Sequence, residues 1–288
     1  MGELDIETTF SYCEQVSQAR RFSTHNCTII SRTKIVKRNI FEKVSVGSWI
    51  TIGHPAVAEI MASAGFDWLT VDLEHSAINI GQAEELIRVI DLKGIPAFVR
   101  LSSNNPEQIK RVMDSGAHGV IVPMVNSVGE AERAVDAVRY PPVGKRSFGL
   151  ARAHGYGVGF KDYLSWEESQ AAIVIQIEHI DAVEDLEAIF SVTGIDAYFV
   201  GPYDLSGSLG VPGQFDHPEY LAAMARIYDV AQKANMPGGL HIVEPDVGLL
   251  ENSIERGARF IAYSLDTRML DVSCRHALEH SRSWTRNE

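Results

Sequence analysis

Residues 55–72 read PAVAEIMASAGFDWLTVD. Pro55 follows the polar His54, and proline at the first helical position fixes φ where its missing N–H costs nothing. The amphipathic run closes at Ala64-Gly65, the usual glycine stop of a helix. A β-rich apolar run, Trp68–Leu73, comes next. A capped helix followed at once by an apolar strand is half of a parallel β-α-β unit, because parallel strands need a helical crossover.

The same unit recurs along the chain. Strands are expected at Val46–Ile52, Trp68–Leu73, Ala97–Leu101, Gly119–Val125, Ala172–Ile177, Ala197–Gly201, Gly238–Val243 and Phe260–Ser264. Helical patterns lie between them at Pro55–Ala64, Gln82–Leu92, Pro106–Ser115, Val128–Val138, Asp181–Phe190, Pro218–Ala234 and Pro245–Arg256, with Thr267–His280 after the last strand. Eight strands alternating with eight helices fit a closed (β/α)₈ TIM barrel. An open doubly wound sheet is the runner-up, and no Gly-x-Gly-x-x-Gly turn follows the first strand to support it. The barrel domain is expected over residues 39–288, behind an N-terminal extension at 1–38. A glycine-rich stretch from Tyr140 to Glu168 interrupts the rhythm and is expected to cover the active site.

Composition narrows the function. The 288 residues carry 26 Lys+Arg against 38 Asp+Glu, a formal charge of −12, with 45% hydrophobic residues. That acidity argues against a nucleic-acid partner, which needs clustered positive charge. It leaves room for a small anionic substrate held by one local Arg. No apolar run reaches the ~18 residues of a membrane span. Cys13, Cys27 and Cys274 are odd in number and far apart, so neither a disulfide framework nor a zinc knuckle is expected, and a reduced cytoplasmic setting is. No Gly-x-Ser-x-Gly elbow and no phosphate loop occurs.

Barrel chemistry collects at the C-terminal ends of the strands. There the sequence places Asp72-Leu73-Glu74-His75, Arg100, Gln176-Ile177-Glu178 and Gly201-Pro202-Tyr203-Asp204. Charged groups at the ends of buried strands are costly unless paired or bound to a cation. Glu178 and Asp204 suit a hard cation such as Mg²⁺ or Mn²⁺, and equally a salt bridge or a helix cap. Gln176, two positions from Glu178, points the same way. His75 stands beside Asp72 and Glu74, which could orient it as a base. Arg100 offers a planar fork to a carboxylate or developing enolate, or to Asp72 or Glu178 in the empty site. Trp49, Trp68, Phe66 and Phe98 read as core. His118, His217, His241, His276 and His280 read as surface or supporting residues.

Taken with Gly65-Phe66-Asp67-Trp68, Val122-Pro123-Met124-Val125 and Arg139-Tyr140-Pro141-Pro142-Val143-Gly144-Lys145-Arg146, these motifs resemble, in order from about Phe41 to Leu270, the metal-dependent HpcH/HpaI aldolase family. The resemblance implies a class II aldolase that cleaves a 4-hydroxy-2-oxo acid to pyruvate and an aldehyde through an enolate held at a divalent cation, Mg²⁺ or Mn²⁺, with Co²⁺ a third choice. It implies that Glu178 and Asp204 are the metal ligands, that His75 oriented by Asp72 is the acid/base, and that Arg100 anchors the enolate. Gln176 would lie near the metal, and Gly201, Tyr203 and Asp204 would offer backbone N–H groups to the substrate carboxylate. A homohexamer, a trimer of dimers exchanging the final helix, is also implied. Tyr203 and His179 depart from the family pattern. Decarboxylation of an oxaloacetate-type substrate on the same site, a citrate-lyase-type thioester reaction and a catalytically silent barrel are the alternatives.

Overall fold

The computed structural model describes residues 36–285, so positions 1–35 of the expected extension lie outside the described residues. Eight parallel strands, β1 (Ser45–Ile50), β2 (Trp68–Asp72), β3 (Ala97–Arg100), β4 (Gly119–Val122), β5 (Ala172–Ile177), β6 (Ala197–Val200), β7 (Gly238–Ile242) and β8 (Phe260–Leu265), pair in chain order, and β8 closes on β1. This is the (β/α)₈ barrel that the alternation of elements predicts. The helices are α1 (Val36–Phe41), α2 (Pro55–Ser63), α3 (Ile80–Leu92), α4 (Pro106–Asp114), α5 (Val128–Val138), α6 (Phe160–Gln170), α7 (Ile180–Glu184), α8 (Leu186–Phe190), α9 (Pro202–Ser208), α10 (Pro218–Ala234), α11 (Val247–Glu255) and α12 (Asp266–Thr285).

Local chemistry starts these helices. His54, Asn105 and His217 each accept a backbone N–H just before a proline at the first turn, and Asn79 forms a reciprocal capping box with Gln82. Such a cap stabilises its helix by about 1 kcal/mol. The helix expected over Asp181–Phe190 is split at Asp185, whose ψ of 18° breaks the turn between α7 and α8. His179 caps α7, its Nδ1 accepting from Asp181 N at 3.2 Å.

The interior is filled from its N-terminal end upward. Trp68 stacks on Phe260 at 4.1 Å, and Phe98 meets both rings. Gly47, the register partner of Trp68, makes the room: a Cβ there would sit 2.1 Å from the indole. Helix α1 closes this end, where buried Ile40 and Phe41 join the same aromatic cluster and Lys37 pairs with Asp196 at 2.7 Å. The base of the barrel interior is therefore filled by packed side chains, and the strand ends that carry polar groups lie at the C-terminal mouth.

The stretch from Tyr140 to Glu168 departs from expectation. It links α5 to β5, and a helix-to-strand connection lies at the N-terminal face, opposite the site. Its contacts agree. Arg146 donates to Asp114 at 2.6 Å, and Arg152 donates to Asp91 at 2.6 Å and to the Ser115 carbonyl at 3.0 Å, all near the C-terminal ends of α3 and α4. The segment is a clamp on the base, and part of it folds as α6.

Candidate active site

The C-terminal mouth gathers residues from the ends of successive strands. Asp72 and Arg100 end β2 and β3 and are register partners. Arg100 donates Nε to Asp72 Oδ1 at 2.8 Å and Nη2 to Oδ2 at 2.6 Å, a bidentate fork, while its Nη1 lies 3.3 Å from Glu74 Oε2. The guanidinium also rests over Trp49, 4.3 Å from the ring centroid. Trp49 is thus core, as its residue type predicts, and also the floor under the site's cation.

Asp72 is therefore bound first of all to Arg100. The Asp72 carboxylate accepts from Arg100, from the Glu74 amide at 3.0 Å and from the His75 amide at 3.4 Å. The His75 side chain is 66% exposed, and its Nε2 lies 3.9 Å from Glu74 Oε2. What Asp72 orients is the arginine.

Glu178 follows β5 and is buried. Its Oε1 accepts the Met124 N–H at 2.7 Å, and its Oε2 accepts from Gln176 Nε2 at 2.7 Å. Met124 reaches it from the end of β4 with φ at 52°, a left-handed conformation uncommon for a side chain of this kind and frequent at functional sites. Gly201, at the end of β6, lies against the same carboxylate: a Cβ would fall 2.5 Å from Glu178 Oε2. Asp204 is exposed in the first turn of α9.

Charge on this mouth is out of balance. Burial pushes Glu178 up to about 7; the Met124 amide and Arg100 oppose the rise, and Glu74 and Asp204 add to it. Burial likewise pushes Glu74 to about 7 against the pull of Arg100, with Asp72 and Asp204 reinforcing the rise. Four carboxylates thus share one guanidinium, which Asp72 already neutralises. The Gln176 Oε1, buried without a donor, is one more acceptor facing inward. A surplus of oxygen acceptors, with Gly201 letting the end of β6 close onto the Glu178 carboxylate, fits a hard divalent cation. Among the described residues no group of three or more His, Cys, Asp or Glu forms a closed cage. Glu178 and Asp204 would hold such a cation from one side, leaving positions for substrate.

Sequence reasoning passed over three contributors: Glu74 as a titrating group in its own right, the Met124 amide, and His241. The alternation along β7 was the available signal for His241, since Gly239 and His241 occupy every second position of one strand face. His118, by contrast, is buried at the base, 3.7 Å from Asp91, and not at the surface.

Fold and site together place the chain among carbon–carbon lyases built on the (β/α)₈ barrel. It belongs to the HpcH/HpaI aldolase/citrate lyase family, whose profile matches residues 45–272. It is 37% identical over 241 residues to a hydroxypyruvate/pyruvate aldolase of Sagittula stellata, covering 83% of this chain and 93% of that one. It is 38% identical over 228 residues to a 4-hydroxy-2-oxo-heptane-1,7-dioate aldolase of Salmonella paratyphi C, covering 78% and 85%. The crystal structure of an HpcH/HpaI aldolase from Desulfitobacterium hafniense DCB-2 superposes with a TM-score of 0.79 at 29% identity, covering 83% and 93%.

Proposed function

We propose that this chain is a divalent-cation-dependent class II aldolase that cleaves a 4-hydroxy-2-oxo acid to pyruvate and an aldehyde, and joins them in reverse. The observation that carries the reading is the excess of carboxylate around Glu178, with one guanidinium held beside it and Gly201 packed against its oxygen. Mg²⁺ or Mn²⁺ on Glu178 and Asp204 would balance that charge and polarise the 2-oxo group.

The chain's own residues supply the rest. Arg100 is fixed by Asp72 and Trp49, so Nη1 is the guanidinium nitrogen left to share between Glu74 and a substrate oxygen. Negative charge growing on the pyruvyl oxygen during C3–C4 cleavage is stabilised there by a donor that needs no reorganisation. His75 is exposed and loosely held, as a group that must take the 4-hydroxyl proton and exchange it with water should be. Gln176 keeps the Glu178 carboxylate in one orientation. The backbone N–H groups of Gly201, Tyr203 and Asp204, where the chain turns into α9, face the substrate carboxylate.

No helix among the described residues is long and apolar enough to cross a membrane. We place the enzyme in the cytoplasm as a homo-oligomer, a hexamer by family resemblance, acting on small molecules and not on nucleic acid. The test is a pyruvate-release screen over 4-hydroxy-2-oxo acids, with and without added Mg²⁺, Mn²⁺ or Co²⁺. Cation-stimulated release from at least one of them is expected. Pyruvate formation at full rate after exhaustive chelation overturns the cation, and no release from any of them overturns the aldolase.

A further inference from the structure

One proton has no carrier in that scheme. Cleavage of C3–C4 leaves the pyruvyl half as an enolate, and C3 must gain a hydrogen before pyruvate can leave. His75 takes a proton from the 4-hydroxyl, and a group on the pyruvyl side has to give one back.

Glu74 stands where that transfer takes place. It follows the end of β2, and its side chain is 16% exposed. Its Oε2 lies 3.3 Å from Arg100 Nη1, the nitrogen left for the pyruvyl oxygen, and 3.9 Å from His75 Nε2. One oxygen thus faces the anchor of the enolate on one side and the base that collects the hydroxyl proton on the other. The remaining carboxylates of the mouth are committed elsewhere. Asp72 is forked onto Arg100 and accepts two amides, and Glu178 accepts from Met124 and Gln176. Asp204 is exposed on α9. Among the described residues Glu74 makes only those two ion pairs, so its carboxyl is free to carry a hydrogen and to turn. Burial raises it to about 7 against the pull of Arg100, so acid and base forms coexist near neutrality, as proton transfer in both directions requires.

We propose that Glu74 is a catalytic residue, the acid that delivers a proton to C3 of the pyruvate enolate. In the joining direction it is the base that takes one from the pyruvate methyl group. The proposal rests on the aldolase reading and assigns that reaction's second proton transfer. In cleavage the Glu74 O–H bond breaks and its proton bonds to C3 through the C2–C3 π electrons, while the enolate oxygen returns to a carbonyl. Glu74 is left as a carboxylate beside the His75 imidazolium, which passes on the proton it took from the 4-hydroxyl. The hydrogen lost by the hydroxyl is balanced by the hydrogen gained at C3, and no net proton is drawn from solvent.

The probe is pyruvate in D₂O with Mg²⁺, its methyl exchange followed by ¹H NMR. Glu74→Gln keeps the shape of the side chain and cannot carry the proton. It should lose exchange by about 10²-fold or more, the usual contribution of one general acid or base. In calorimetric titration it should bind oxalate, a planar mimic of the enolate, at least as tightly as wild type. Given a 4-hydroxy-2-oxo acid that wild type cleaves, it should release a single turnover of aldehyde quickly and then stall. Bond cleavage needs His75, and only the departure of pyruvate needs Glu74. Glu74→Ala should recover part of the exchange when acetate is added, because the small acid fills the place of the missing carboxyl. Exchange in Glu74→Gln within threefold of wild type overturns the proposal. So does loss of oxalate binding along with exchange when acetate restores neither in Glu74→Ala, since Glu74 is then a prop for Arg100. Wild type separates the two readings. If it exchanges no methyl proton, the aldolase and Glu74 fall together, and exchange untouched by the substitution sinks Glu74 alone.

Discussion

Asp72 and Arg100 face each other from the ends of neighbouring strands, joined by two hydrogen bonds of 2.8 and 2.6 Å, with the carboxylate side chain 1% and the guanidinium 12% exposed. The pair is structural and functional at once. Removing Asp72 leaves a nearly buried guanidinium alone, so Asp72→Ala should cost about 3–5 kcal/mol of stability in chemical denaturation. Arg100→Lys keeps the charge and loses the fork. Its kcat should fall by about 10²-fold, as for one preorganised donor. An unchanged kcat with a raised KM would reduce Arg100 to a ground-state contact.

Gly201→Ala should act on cation affinity before anything else. The added methyl would fall 2.5 Å from Glu178 Oε2 and push the carboxylate off its bonds to Gln176 and Met124. Calorimetric titration with Mn²⁺ should show weaker binding in Gly201→Ala, Glu178→Gln and Asp204→Asn alike. Wild-type affinity in all three would move the cation elsewhere.

His75 is exposed and makes no buried contact, so His75→Ala should melt within a degree or two of wild type. It should lose aldol cleavage by about 10² to 10⁴-fold, the range for a general base. Oxaloacetate decarboxylation needs no hydroxyl deprotonation and should survive in larger share. Arg100→Ala should lose both. Assays of the two substrates side by side at saturating Mn²⁺ decide it, and equal losses in His75→Ala would deny it the proton.

Stability should depend on pH through Glu74. Its carboxyl rises from 4.5 unfolded to about 7 folded, so between these values the folded chain binds more protons. Stability from this group is therefore present below about 4.5 and lost as pH climbs to 7. His241 has the opposite slope from about 4 to 6.5, since burial lowers it and the unfolded chain takes the proton. Comparing wild type with Glu74→Gln cancels that contribution. In chelator, thermal melts should show wild type losing ground to the variant between pH 5 and 7.5. Parallel curves would mean Glu74 stays ionised throughout.

The fold was legible because its signals are local. Pro55, Asn105, Gly65 and the alternating apolar runs each act within a few residues, and eight repeats of them leave a closed parallel barrel as the simplest arrangement. Glu178, Arg100 and Gln176 could be placed near the mouth for the same reason, as polar residues at strand ends. Partnership is another matter. That Asp72 forks onto Arg100 depends on the register between β2 and β3, which neither segment encodes alone. The side of the barrel on which Tyr140 to Glu168 lies was deducible, since a helix-to-strand link belongs at the base, but its glycines and aromatic residues imitate a lid. His241 was overlooked because a lone histidine is ordinarily a surface group. Its packing on Trp49 and its bond to the Ser264 carbonyl emerge only from the closed barrel.

The plug that Ile40, Phe41, Trp68 and Phe260 form at the base has a kinetic corollary. With the base filled, exchange through the C-terminal mouth makes traffic last in, first out. If pyruvate lies against Arg100 and Glu178 and the aldehyde lies above it, the aldehyde departs first and pyruvate second. Initial-rate inhibition should then find pyruvate competing with the 2-oxo acid and the aldehyde not competing.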